Sequence, residues 1–162
     1  MLMKIKNFIF SILYVLVIIY LLIFVPSIFG FKPLVVISGS MHPTLKVGGL
    51  LYYHEEDLEN FKKDDILVYS SRNHIVSHRI VEIHDNGFIT KGDANKNIDI
   101  DMINNNRVLG KGTNWSIPYL GLYADFIYTH KYLLVLCIIF LIMDSGISYY
   151  KNNKRKVGIK NE

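Results

Sequence analysis

Apolar and polar positions are unevenly distributed along the chain. Two long apolar runs lie near its ends, and a middle of ordinary polarity separates them. From Asn7 to Phe31 no residue is charged. The stretch FIFSILYVLVIIYLLIFVPSIFG exceeds the about 20 apolar residues that a helix needs to cross a hydrocarbon core of about 30 Å. A cleaved signal peptide is the rival reading, but its apolar region spans about 7–15 residues and ends at a small-x-small site. This run is longer and lacks an Ala-x-Ala end, so it predicts an uncleaved anchor over residues 7–30, ended by Pro26 and Gly30. The second run, YLLVLCIIFLIM (Tyr132–Met143), is interrupted by Asp144. A carboxylate at a helix centre costs about 2.5–3.5 kcal/mol on the insertion scale. Asp144 lies towards the end of the run, near lysines, where that cost falls, so the pattern predicts a second transmembrane helix over residues 132–150.

Between the runs the pattern changes to short β-branched and aromatic segments: Gly48–His54, Asp65–Ser71, His74–Ile83, Gly87–Gly92 and Arg107–Gly112. Gly, Asn and Asp punctuate them, and HDNG (His84–Gly87) is a hairpin signal. The prediction is mainly β: a small antiparallel domain over residues 31–131, flanked by N- and C-terminal transmembrane helices. No dinucleotide or Walker loop is present. HEEDLEN (His54–Asn60) reads as a solvated connection, and the Asn-rich NKNIDIDMINNN (Asn95–Asn106) as an irregular loop. WSIPYLGLYADFIY (Trp115–Tyr128) leads into the second run. Its Trp and Tyr residues suit either the headgroup level of a bilayer or ordinary core packing.

Composition sharpens this picture. Hydrophobic residues make up 51% of the chain and charged residues 20%, with a net charge of +4. Much of the excess lies in the tails, at Lys4 and Lys6 and at Lys151, Lys154, Arg155, Lys156 and Lys160. That placement argues for membrane orientation and against nucleic acid. By the positive-inside rule, residues 1–6 and 151–162 are cytoplasmic and the middle domain is extracytoplasmic. The single cysteine, Cys137, supports neither a disulfide framework nor a cysteine metal site.

Six histidines are present, none in a HExxH arrangement. His74 and His78 share a face of a strand but stand about 13 Å apart, which argues against a zinc site. His78 is a polar residue in an otherwise apolar strand, on the same side as Val76 and Ile80, and such a histidine is commonly a satisfied core group. It also belongs to a set of different meaning: serines in VVISGSMHPTL (Val35–Leu45), His78 on a strand, and acids in TKGDANKNID, at Asp93 and Asp99. Serine, histidine and acid together are what nucleophilic acyl transfer requires. The histidine takes the serine proton, and the acid fixes the tautomer and stabilises the imidazolium. Lys46 and Lys91 are formal candidates for a serine–lysine dyad.

Specific strings narrow the choice. SGSMHPTL resembles the nucleophile motif of type I signal peptidases. SHRIVEI resembles the base-bearing strand of their endoplasmic-reticulum, archaeal and SipW-like branch, in which histidine replaces lysine. TKGDAN…D resembles the acidic motif of that branch, DDILVY its second strand, and IPYLG its exit into a C-terminal anchor. The resemblance covers about Ile37 to Gly121. It implies a membrane-bound serine endopeptidase that removes signal peptides from secretory preproteins after small residues, in an Ala-x-Ala-like site, without cofactor or metal. Carried over by motif, Ser40 is the nucleophile, His78 the general base, and Ser38 a partner of the Ser40 N–H in binding the oxyanion. Asp93 and Asp99 both match acids of the branch; Asp99 is favoured as the partner of His78, and Asp93 as support for the loop. A lysine base must fall from a pKa of about 10.4 towards neutrality, whereas histidine starts near about 6.5 and needs an orienting acid more than a dry pocket. Two residues depart from the family pattern: His42 stands where an acid is usual, and Gly49 replaces the acid of VGD. A specialised substrate range, or a catalytically silent membrane-anchored binding or assembly module of the same fold, are the alternatives.

Overall fold

Ile66, Leu67, Val68 and Tyr69 are consecutive apolar residues, and side chains alternate between the faces of a strand, so this run needs cover on both sides. In the computed structural model, which describes residues 2–72 and 74–159, all four are buried. Ile66 and Val68 pack with Val36, Met41, Leu45, Leu51 and Tyr53 in one cluster. Leu67 and Tyr69 pack with Phe61, Ile80, Phe88 and Ile103 in another. Met1 and residues 160–162, at the ends of the two basic flanks, lie outside the described residues.

The described residues form two units, 23–126 and 2–22 with 127–159. The first is built on seven strands: β1 (Lys32–Val35), β2 (Leu50–His54), β3 (Ile66–Ser71), β4 (His74–His84), β5 (Gly87–Lys91), β6 (Ile103–Asn104) and β7 (Val108–Gly112). They make one antiparallel sheet in the order β1-β2-β7-β3-β4-β5-β6. The HDNG signal is a hairpin, with His84 of β4 opposite Gly87 of β5. Two strands escape the sequence pattern. β1 contains Pro33, which lacks a donor and is tolerated because β1 is a sheet edge. β6 lies inside the Asn-rich segment read as irregular; it is two residues long and held by Ile103, which is 3% exposed.

Pairing along β4 is uneven, with consequences for the site. β3 pairs with β4 from His74 to Arg79, but β5 pairs with it only from Arg79 onward. The edge of His74–His78 opposite β3 therefore has no neighbouring strand among the described residues. The outer edge of β1 likewise has no strand partner among the described residues.

The second unit contains most of the first apolar run and all of the second; the end of the first run and most of the aromatic stretch belong to the first unit. Helix α1 (Leu2–Phe24) gives way just before Pro26 to a 3-10 turn, Val25–Phe29, closed by Gly30 in the left-handed conformation at φ 85°. Pro26 cannot donate the i→i−4 bond and Gly30 adopts positive φ without strain, so the two punctuation residues act in turn. The aromatic stretch before the second run forms α2 (Leu120–Thr129), and the run itself lies in α3 (Lys131–Ile159). Ile5–Phe29 and Lys131–Lys151 are long and apolar enough to cross a membrane.

Asp144, the residue that interrupts the second run, has a partner on α1: it is ion-paired and hydrogen-bonded with Lys6. Phe10 stacks on Phe140 at 5.2 Å between ring centroids, and the Tyr14 and Ser145 hydroxyls hydrogen-bond at 2.7 Å. Paired charge is the usual condition for keeping an ionisable residue within an apolar span. Lys6→Leu is expected to lower the thermal unfolding midpoint in lipid nanodiscs, with a ceiling of about 2.5–3.5 kcal/mol set by an unpaired mid-span carboxylate. Exchanging the charges, Lys6→Asp with Asp144→Lys, should recover most of the loss. An unchanged midpoint in Lys6→Leu would remove the pair's role in joining the helices.

Candidate active site

The serine motif follows β1 directly and is held by both backbone and core. Val36 N–H donates to the Gly49 carbonyl at 2.9 Å, and Gly48 N–H to the Val36 carbonyl at 2.8 Å. Beyond Ser40 the chain turns, buries Met41 (1% exposed) and Leu45 (0%), and returns to β2. Two apolar anchors thus fix the turn while Ser38 and Ser40 stay accessible. Gly49, one of the two departures, has a local reason here. A Cβ on it would stand 2.8 Å from both the Lys46 carbonyl oxygen and Ser116 Oγ, so a longer side chain has no room without a shift. His42, the other departure, is exposed.

Ser40 Oγ lies 3.1 Å from His78 Nε2, and His78 Nδ1 lies 2.6 Å from Asp99 Oδ2. His78 is buried in β4, its side chain only 11% exposed. A carboxylate only accepts, so Nδ1 carries the proton. That leaves the Nε2 lone pair facing Ser40, whose hydroxyl donates to it. Ser38 Oγ lies 3.2 Å from Ser40 Oγ. With the Ser40 proton directed to His78, the Ser38 hydroxyl is the donor of that contact. The distances fall within the reach needed for a nucleophile, a base and a group that orients the base. Among the described residues His78, and neither Lys46 nor Lys91, is the base hydrogen-bonded to Ser40 Oγ.

Asp93 stands apart from this chain of hydrogen bonds. Its carboxylate receives Arg79 Nε at 2.8 Å and Nη2 at 2.6 Å, and the Thr44 hydroxyl at 2.5 Å. The hydrogen bonds from Arg79 hold its pKa below the usual carboxylate range; burial opposes this, and Thr44 adds to it. Arg79 also donates to the Asp64 carbonyl at 2.7 Å. The pair therefore joins β4 and the loop after β5 to Thr44, within the turn of the serine motif. The Asp93 loop reaches Ser40 by its backbone, since Ala94 N–H donates to the Ser40 carbonyl at 2.8 Å. Gly92 makes the approach possible, because a Cβ there would stand 2.6 Å from that same carbonyl oxygen.

The structure thus brings Ser38, Ser40, His78 and Asp99 together and gives Asp93 a different set of partners. Three participants are absent from the sequence reading: Arg79, Thr44 and Thr90, whose hydroxyl donates to Asp99 Oδ2 at 2.7 Å. Arg79 adjoins His78, and Thr90 precedes the Gly-Asp turn, but nothing local distinguishes them from ordinary strand residues.

Beside Ser40 lies a cleft of about 130 Å³, lined by Leu34–Ser38 on one side and His74–Ser77 on the other, with Ser40 and Met41. Its walls are the end of β1 with the residues that follow it, and the start of β4. These are the elements whose edges the sheet leaves unpaired, so an extended peptide placed there has backbone partners available.

No family model matches the chain. Signal peptidase I W of Bacillus subtilis (strain 168) is 30% identical over 128 residues, covering 70% of this chain and 67% of that protein. Signal peptidase complex catalytic subunit SEC11C of Homo sapiens and of Canis lupus familiaris is 34% identical over 112 residues, covering 54% of this chain. The chain spans about half the length of the SEC11C proteins, 53% in each case. From the shared sequence, and from the β-rich domain flanked by two apolar helices, the chain belongs to the type I signal peptidases, in the branch of SipW and the endoplasmic-reticulum catalytic subunits.

Proposed function

We propose that this protein is a membrane-bound serine endopeptidase that cuts signal peptides from translocated preproteins after small residues, with Ser40 as nucleophile, His78 as general base and Asp99 as the acid that orients it. The observation that carries the reading is the continuous hydrogen-bonded chain from Asp99 through His78 to Ser40, adjoining the cleft between β1 and β4.

In the proposed reaction His78 Nε2 takes the Ser40 proton as Oγ attacks the scissile carbonyl carbon. The carbonyl π pair moves onto oxygen, and the tetrahedral oxyanion is held by the Ser40 N–H and the Ser38 hydroxyl. Collapse of the intermediate breaks the C–N bond, and His78 gives its proton to the leaving amine. Water, deprotonated by the same nitrogen, attacks the acyl-enzyme, and Ser40 leaves as the alcohol. Asp99 stays ionised throughout and stabilises the imidazolium. Under the positive-inside rule the proposed topology has both basic tails in the cytoplasm and residues 31–131 outside. In the sequence Ser40 follows soon after the first apolar segment, which suits a bond emerging near the bilayer surface.

The narrowness of the cleft between Leu34–Ser38 and His74–Ser77, beside Ser40, supports the preference for small residues. The test is processing of a secretory precursor by purified protein in detergent or liposomes. Cleavage is expected with alanine immediately before the scissile bond, and a loss of at least about 100-fold with phenylalanine there, the scale of a steric clash of about 2.7 kcal/mol or more. Equal cleavage of both precursors would overturn the specificity. Absence of cleavage with any secretory precursor would favour the silent binding module.

A further inference from the structure

Asp99 belongs to a segment that does little to hold it in place. Its neighbours Ile98 and Ile100 are 52% and 100% exposed, and no strand begins until Ile103. A carboxylate carried on such a segment needs an outside constraint to stay aligned with an imidazole, and one residue supplies it at two points. Thr90 donates its hydroxyl to Asp99 Oδ2 at 2.7 Å, and its backbone carbonyl accepts the Asp99 N–H at 2.8 Å. Thr90 is 0% exposed, and it pairs with Ile80 in the β4–β5 ladder. Ile80 is two residues beyond His78 on the same strand and buried with it, so both ends of the Asp99–His78 contact are referred to one stretch of sheet.

We infer that Thr90 is the positioning residue of the catalytic acid, fixing Asp99 from backbone and side chain so that its carboxylate meets His78 Nδ1. The inference rests on the proposed roles of Ser40, His78 and Asp99. Both donors reach the same oxygen, Oδ2, so the Thr90 hydroxyl stops the carboxylate from rotating away from the histidine. Tyr69 completes the arrangement. Its ring stands edge-on to His78 at 6.4 Å between centroids and so limits the tilt of the imidazole. Burial raises the Tyr69 pKa and keeps the phenol protonated.

The test uses the full chain in detergent with a secretory precursor. Thr90→Val keeps the β-branched shape and removes the hydroxyl. It is expected to lower kcat by about 10- to 100-fold, the range of a charge-assisted hydrogen bond, with KM changed less than about twofold. Thr90→Ser restores the hydroxyl and should return kcat to within about threefold of native. In an Asp99→Asn background, Thr90→Val should add less than about twofold, because the residue it acts through is already impaired. A smaller loss in Thr90→Val, an equal loss in Thr90→Ser, or independent multiplication of the losses in the Asp99→Asn background would each overturn the inference. Thr90→Ala serves the same comparison if the valine variant does not fold. Ser40→Ala run in parallel separates the two levels. Activity surviving in Ser40→Ala sinks the proposed mechanism, whereas an inactive Ser40→Ala beside a fully active Thr90→Val sinks only the role of Thr90.

Discussion

Ser40→Ala and His78→Ala are each expected to lower kcat for precursor processing by at least about 10⁴-fold, and the double variant by little more than either alone. In the proposed mechanism the two side chains act as a unit. Without Oγ there is no acyl-enzyme; without Nε2 the hydroxyl keeps its proton, and the leaving amine has no acid. What survives is binding in the cleft and the remaining oxyanion donors. The two variants should differ in stability. Ser40 is half-buried, 3.1 Å from His78 Nε2, and loses one hydroxyl. His78 is buried and packs on the ring of Tyr69, a member of the second core cluster, so its truncation opens a cavity and should lower the unfolding midpoint. Single-turnover processing followed on gels, with thermal unfolding of the same preparations, separates chemistry from folding. Native-like turnover in either variant would require another nucleophile or base.

Asp99→Asn and Asp93→Asn should fail in different ways. For Asp99→Asn the expected loss in kcat is about 10³- to 10⁴-fold with a near-native unfolding midpoint. An amide can offer N–H to Nδ1, select the wrong tautomer and leave Nε2 protonated, and it cannot stabilise the imidazolium. For Asp93→Asn the first effect should be on stability, about 1.5–3 kcal/mol for a charge-assisted pair, because the side chains of Asp93 and Arg79 are only 16% and 24% exposed. Activity should then fall through displacement of the loop that holds the Ser40 carbonyl. The pH dependence identifies the pair. Arg79 depresses the folded-state pKa of Asp93, so its contribution is complete above the ordinary carboxylate value of about 3.9. It is lost as pH falls through the lower folded value. The midpoint gap between native protein and Asp93→Asn should therefore close in acid. If Asp93→Asn abolishes turnover with its midpoint intact while Asp99→Asn turns over normally, the roles of the two acids are exchanged.

Much of the architecture is legible in the residues themselves. Continuous apolarity marks α1 and α3, and β-branched runs between turn signals mark β2, β3, β4, β5 and β7, because periodicity and turn chemistry are local. β1 and β6 are not legible for complementary reasons. One carries a proline that only an edge accommodates, and the other is two residues whose strand character exists only through pairing with Gly87 and Phe88. Asp144 reads as an interruption until Lys6, far away in the chain, stands against it.

The candidate site divides along the same line. Ser38, Ser40, His78, Asp93 and Asp99 are singled out by their strings, and those strings resemble one family. No string says which acid meets the histidine. Asp93 and Asp99 lie in one segment with similar polarity. They part only because Arg79 and Thr44 converge on the first, while the Thr90 carbonyl and hydroxyl draw the second to Nδ1.

The sequence by itself determined the kinds of group present, the two apolar segments, the β character of the middle and the family to which the motifs point. These properties reside in neighbouring residues and survive any change of packing. Only the tertiary structure decided the partner of each acid, the cleft between two unpaired strand edges and the neutralisation of Asp144. Each of these depends on atoms far apart in the chain meeting within about 3 Å, the scale at which a hydrogen bond forms or is lost.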